Sequence, residues 1–250
     1  MTFIPSTGGG LTTLYDVDFT SLGNQDLTSG GDGDKTIDGK TWRADNTGSA
    51  AIMDILNGTG LRIQLSAAGE YLNGTRTAPI VALAISEVTD ATTFNSLRFW
   101  VEFSVANITV ANEFARMGVE VDTANSIGPA TNENFMLSIQ QSGANTILVP
   151  ISTNNNGSTT SVFPNNYASE DLFLMQVESP HYALSGLGTA STDLLNPQNL
   201  QMVGSTRITN SLADYAIMRT DNTRFFACVG DSSATDPLLT MKRLVIESSS

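Results

Sequence analysis

The chain has 250 residues, 12 basic against 25 acidic side chains, and a formal net charge of −13. That balance argues against a nucleic-acid partner, because phosphate contacts need clustered Lys and Arg. No apolar run approaches the ~18 residues of a membrane-spanning helix, and a single cysteine, Cys228, leaves no intramolecular disulfide to staple a small scaffold.

Hydrophobic content of 40% is enough for a substantial core, while charged content is only 15%. Ser, Thr, Asn and Gly fill the gap. Such a surface favours turns and strand edges over exposed helices. The N-terminus has no basic region followed by an apolar stretch, so no signal peptide is expected and folding is assigned to the cytoplasm.

Residues 1–13, MTFIPSTGGGLTT, read either as an extended arm with Phe3, Ile4 and Pro5 as its assembly anchor or as a disordered tail. Residues 14–250 read as one β-sandwich domain. Leu14 to Phe19 is a first strand. Thr36 to Trp42, TIDGKTW, places Asp38-Gly39 between β-prone flanks, the pair favoured in a type I′ hairpin turn. Ala50 to Leu56 and Leu61 to Leu65 form the next hairpin around Asn57-Gly58-Thr59-Gly60. Ala78 to Ser86 is nearly all apolar and reads as a strand buried on both faces, with Pro79 disfavouring a helix.

Leu97 to Val105 is the cleanest strand. Leu97, Phe99, Val101, Phe103 and Val105 fall on one face, and Arg98, Trp100, Glu102 and Ser104 on the other. Ala115 to Val121 repeats the pattern. Pairing the two as a hairpin around Asn107–Asn112 sets Arg98 opposite Glu120, Trp100 opposite Gly118 and Glu102 opposite Arg116. This register matches both charge pairs and lays a large ring over a bare backbone.

Phe135 to Gln141 and Ile147 to Ile151 read as a further hairpin. Phe135, Leu137, Ile139, Ile147, Val149 and Ile151 are expected on one face, with Pro150 outward on an edge strand. Leu172 to Glu178 is a strand. Pro180 to Gln198 is the least patterned stretch, a long loop or a short helix near Asp193. Ala213 to Thr220 and Arg224 to Val229 form a late hairpin. In Leu239 to Glu247 the apolar period slips at Lys242-Arg243, which predicts a bulge.

Roughly twelve to fourteen short strands and no long helix point to an all-β fold, two packed antiparallel sheets in a jelly-roll sandwich. No repeat of fixed period is present, which disfavours a propeller or β-helix.

LYDVDFTSL, TIDGKTW and the closing MKRLVIE resemble a concanavalin A-like jelly roll of the kind found in virion proteins of tailed bacteriophages. The resemblance covers residues 14 to 65 and 224 to 247. It implies that the first and last strands lie side by side. It also implies a non-enzymatic capsid decoration (cement) protein, or a head or tail fibre subunit, on the virion surface. The partners would then be capsid or tail subunits and further copies in a homo-oligomer. The alternative is a carbohydrate-binding, lectin-like module for host or environmental glycans, and a glycoside hydrolase comes third.

Hydrolases on this fold class carry E-x-D-x-x-E along one strand, with two carboxylates ~5–5.5 Å apart. Here Glu120-Val121-Asp122 begins the pattern and Asn125 breaks it, so surface charge is the favoured reading. His181, the sole histidine, has no nucleophile motif nearby, and no zinc or nucleotide fingerprint exists. Asp32, Asp34 and Asp38 fit part of an EF-hand count, but Ile37 and Arg43 occupy two required positions. Asp231 and Asp236 form a second acidic loop. No cofactor is expected and no metal site is assigned, although loop-bound calcium stays open without a motif.

Trp100, with Arg98, Glu102 and Arg116 around it, is the candidate platform for a partner protein or a glycan. The favoured reading of the ring itself is that a loop or the second sheet covers it, since large rings are seldom left bare. Trp42 and Cys228 read as core residues.

Overall fold

A computed structural model of the chain describes residues 10–45, 51–65, 79–109, 113–121, 134–153, 159–161, 165–166, 172–178, 182–189, 201–208, 220–230 and 236–249. Among these residues eighteen strands form. The first seven are β1 (Thr12–Asp18), β2 (Gln25–Asp26), β3 (Gly33–Ile37), β4 (Lys40–Asp45), β5 (Ala51–Leu56), β6 (Gly60–Leu65) and β7 (Ile80–Ala84). There follow β8 (Ser96–Ala106), β9 (Phe114–Val121), β10 (Asn134–Ser142), β11 (Asn145–Thr153), β12 (Thr159–Ser161) and β13 (Asn165–Asn166). The last are β14 (Leu172–Glu178), β15 (Tyr182–Thr189), β16 (Gln201–Ile208), β17 (Thr223–Gly230) and β18 (Leu238–Ser249). The helical content of the described residues is two single 3-10 turns, Phe19–Ser21 and Ile85–Glu87.

The strands build two antiparallel sheets packed as a jelly-roll sandwich. The first runs β16-β15-β14-β8-β18-β6-β5-β2, with β1 also against β18. The second runs β12-β11-β10-β9-β17-β7-β4-β3, with β13 also against β11. Tight turns stand where their residues demand them. Asp38 and Gly39 take φ of 49° and 72° between β3 and β4, as a type I′ turn requires. Gly60 takes φ of +125°, and a Cβ there would stand 2.4 Å from the Met241 carbonyl oxygen. Glycine lets the β5–β6 hairpin abut β18.

β18 holds the first sheet together. One side pairs with β8 along its length; the other pairs with β6 through residues 238–241 and with β1 through residues 243–248. The register shifts between Met241 and Arg243, which places the predicted bulge at Lys242. The bulge reconciles parity. Leu239 and Met241 face the core before it, and Leu244 and Ile246 face the core after it. β1 and β18 are neighbours as the resemblance implied, from Thr12 opposite Ser248 to Asp18 opposite Arg243. β1 starts at Thr12, so residues 12 and 13 belong to the sandwich and not to an arm. Phe3, Ile4 and Pro5 lie outside the described residues.

The expected β8–β9 hairpin does not form. β8 pairs with β14 and β18 in the first sheet; β9 pairs with β10 and β17 in the second. Their apolar faces meet across the sandwich, where Leu97, Phe99, Val101 and Phe103 share one core with Ala115, Met117, Val119 and Val121. Phe99 of β8 stacks on Phe225 of β17 with ring centroids 6.4 Å apart, one of the contacts joining the layers. The physical reason is that period two fixes which face is buried and leaves the partner open. The expected charge matches are met elsewhere, Arg98 opposite Glu247 and Glu120 opposite Arg224.

The β10–β11 hairpin forms, one residue out of the expected register. Its two-residue turn, Gly143-Ala144, sets Leu137 opposite Pro150 and Ile139 opposite Leu148, while Ile147 and Val149 stand opposite Gln140 and Ser138. β11 is flanked by β12 at Ile151–Thr153 and by β13 at Ile147–Leu148, and the break between them falls at Val149-Pro150. A proline without an N–H fits that break. The stretch read as loop contains strand β15, paired with a further unforeseen strand, β16. The expected helix near Asp193 and most of 213–220 lie outside the described residues. β7 lies between β4 and β17 and is buried from Ile80 to Leu83.

Candidate functional site

The outer face of the first sheet carries three of the four candidate residues. β18 sets Glu247 opposite Arg98, Val245 opposite Trp100 and Arg243 opposite Glu102. Trp100 is 1% exposed, and its Nε1 donates to Glu247 Oε2 at 2.7 Å. The Arg98 guanidinium lies 5.8 Å from the indole centroid, and its Nη1 is 3.8 Å from the same carboxylate oxygen. Arg98 and Glu247 are themselves buried. This is a closed polar knot, in which one carboxylate answers both a ring N–H and a guanidinium. The ring is therefore covered and not open for stacking. Glu102, half-buried, stands 3.8 Å from Lys242 Nζ at the bulge. Arg243 grips Asp16 of β1 at 2.8 and 2.6 Å, which holds the guanidinium more firmly protonated.

Arg116, the fourth candidate, lies on the far side of the sandwich. Its β9 neighbours Ala115 and Met117 face the core, so Arg116 points out of the second sheet. Its guanidinium stacks 3.9 Å over the Phe114 ring, and its Nε donates to Ser138 Oγ at 3.2 Å. The Phe114 ring rests on Gly230, where a Cβ would meet it at 2.1 Å. On the same face Glu120 is fully buried and accepts from Arg224 Nε at 2.8 Å. Asp122 and Asn125 lie outside the described residues. Cys228 is buried with Ile80, Ala82, Phe114, Met136 and Phe226, and burial pushes its thiol up to about 12. It is an apolar filler, as expected.

In the acidic loop Asp38 makes the β3–β4 turn, and Asp34 stands 3.8 Å from Arg43. The Lys35 ammonium donates to the carbonyls of Ser29 at 2.6 Å and Gly31 at 2.8 Å. Among the described residues no three acidic, His or Cys groups converge as a metal site. The Asp236 carbonyl accepts from Asn107 Nδ2 at 3.1 Å, and Asp231 and His181 lie outside the described residues. Trp42 is a core residue, edge-on to Phe19 at 5.8 Å.

A feature that the sequence reading missed lies at the β2–β5 edge of the first sheet. A shallow groove of about 320 Å³ is lined by Asn24, Asp26 and Thr28 on one rim and by Ile52, Asp54 and Leu56 on the other. β2 sets Asp26 directly opposite Asp54. Arg62 of β6 grips Asp54 at both oxygens, at 2.8 and 2.7 Å. The Asp54–Arg62 pair was legible once the β5–β6 hairpin was drawn. The arrival of the two-residue strand β2 beside it carried no signal.

No protein-family model matches the sequence, and no curated protein matches it. Solved structures share its fold. The protein described as Bacteroides ovatus xyloglucan PUL GH43B is 11% identical with a TM-score of 0.53; the match covers 93% of this chain and 39% of that one. A structure from work on endo-acting O-glycanases of the human gut microbiota is 11% identical with a TM-score of 0.50, covering 96% and 100%. A functionally unknown protein from Saccharomyces cerevisiae is 10% identical with a TM-score of 0.50, covering 84% and 96%. These likenesses establish the class of the fold, an antiparallel two-sheet β-sandwich.

Proposed function

We propose that the chain is a non-enzymatic surface subunit of a bacteriophage virion, of decoration or fibre type. Its tether is the pole where β1 begins and β18 ends. The observation that carries this reading is the pairing of Thr12 with Ser248. Chain that precedes β1 or follows β18 leaves from one pole, beside the Asn95 N–H to Ser249 carbonyl bond. The opposite pole, with the Gly143-Ala144 turn and the Asn107–Asp236 contact, points away. A subunit held at one end and displayed at the other has this layout. A non-catalytic role is supported by Glu120, the acid that begins the hydrolase-like spacing, because its carboxylate is buried and bound to Arg224.

The test is light scattering and negative-stain imaging of the full chain and of a chain lacking residues 1–11. The expected result is rings, trimers or filaments that disappear with the deletion. Monomers in both samples would overturn the reading, as would polysaccharide cleavage lost in Glu120→Gln. A second reading, a carbohydrate-binding module, is favoured by one observation: the β2–β5 groove is open where Trp100 is shut.

A further inference from the structure

The sequence holds Asn-Gly pairs at 57–58, 73–74 and 156–157. Such a pair carries its own reaction. With no side chain on the glycine, its backbone nitrogen can reach the Cγ of the asparagine amide. Asn57-Gly58 lies among the described residues, exposed in the turn between β5 and β6; the other two pairs lie outside them. Each group that the reaction needs at Asn57-Gly58 is held by another part of the chain. The Gly58 N–H donates to the Thr20 carbonyl at 2.7 Å. Asn57 Nδ2 donates to the Leu22 carbonyl at 3.0 Å, and the Asn57 N–H donates to Asn24 Oδ1 at 2.8 Å. Thr20, Leu22 and Asn24 all belong to the connection from β1 to β2, so these bonds clamp the turn to that connection.

We infer that Asn57 is a self-modifying site whose rate the clamp governs. The Gly58 nitrogen loses its proton and bonds to Asn57 Cγ, the Cγ–Nδ2 bond breaks, and ammonia leaves. Water then opens the succinimide to aspartate or isoaspartate. In the folded chain the Thr20 carbonyl holds the proton that Gly58 must lose. The Leu22 carbonyl fixes the amide by the nitrogen that must leave. Attack therefore waits on local opening of the clamp. The reaction also runs one way. An aspartate at position 57 has no N–H to give Leu22 and sets a negative oxygen against that carbonyl. An isoaspartate adds a methylene to the backbone of a tight turn. Neither product rebuilds the clamp, so the connection that carries the two-residue strand β2 to β5 loses its anchor on the turn.

The inference is independent of both functional readings. The test is peptide mapping by mass spectrometry of the full chain kept at mildly alkaline pH, folded and in urea. In urea, Asn73 and Asn156 calibrate the intrinsic rate. Conversion of Asn57 should be about tenfold or more slower in the folded chain than in urea. Asn24→Ala removes one arm of the clamp at an exposed position. It should speed folded-state conversion about fivefold, the effect of losing one hydrogen bond. Asn57→Asp copies one product and should lower the melting temperature by about 2–4 °C. Equal rates folded and in urea would overturn the inference, as would a folded-state rate unaltered in Asn24→Ala. An unchanged melting temperature in Asn57→Asp would overturn the one-way step.

Discussion

Glu247 and Asp54 both stand on the outer face of the first sheet, each beside an arginine, and their surroundings differ. Glu247 and its partner Arg98 have side chains 11% and 5% exposed, with the Trp100 N–H on the same carboxylate. Asp54 and Arg62 are 19% and 26% exposed, at the lip of the groove. A buried pair contributes little when intact and costs much when half of it is removed. A partly exposed pair is screened, and each partner can be rehydrated. The first therefore fixes structure; the second leaves its carboxylate within reach of solvent at the groove.

The sharpest way to break this contrast is to remove one acid at a time. Glu247→Ala removes the buried carboxylate that Arg98 and the Trp100 N–H share, with an expected loss of about 3–5 kcal/mol in urea unfolding. Asp54→Ala sits at the other end of the scale, at about 1 kcal/mol or less. Equal losses would erase the distinction.

Between these lie two milder tests on the strands that join the regions. Tyr15 of β1 is buried under the closed half, and burial pushes its hydroxyl up to about 12. The folded pKa is raised, so the stabilisation is complete below the unfolded value near 10 and is lost as pH rises toward 12. Unfolding free energy should fall by roughly 2–3 kcal/mol across that window in the parent chain and stay flatter in Tyr15→Phe. Gly60→Ala strains the φ of +125° and presses on the Met241 carbonyl at the joint between the two halves. A loss of about 1–3 kcal/mol is expected by thermal melting.

Much of the fold was legible because local chemistry admitted one answer. Asp38-Gly39 named its turn, and the slip at Lys242-Arg243 named the bulge. The partners of the central strand were not legible. Arg98 finds Glu247 as readily as Glu120, and Glu120 finds Arg224 as readily as Arg98, so charge matching could not choose between them. In β10 and β11 the apolar alternation suggested one register and the Gly143-Ala144 turn imposed the other. β15 and β16 escaped notice because Gly186, Gly188 and Gly204 dilute their apolar pattern. For the candidate site, the sequence correctly put Trp100 on the non-core face. The size of the ring already argued that it would be covered, as it is, but nothing in the sequence placed Arg116 in the opposite sheet.

β18 follows every other described strand in the chain, yet it sits inside the first sheet, between β8 on one side and β6 and β1 on the other. A chain emerging from the ribosome cannot close that sheet until residues 238–249 have emerged. Until then β8 and β1 expose raw hydrogen-bonding edges, and the apolar faces of both layers lack their seal. Completion of the sandwich thus waits on residues 238–249, and a polypeptide truncated before residue 238 should be a substrate for chaperones and proteases.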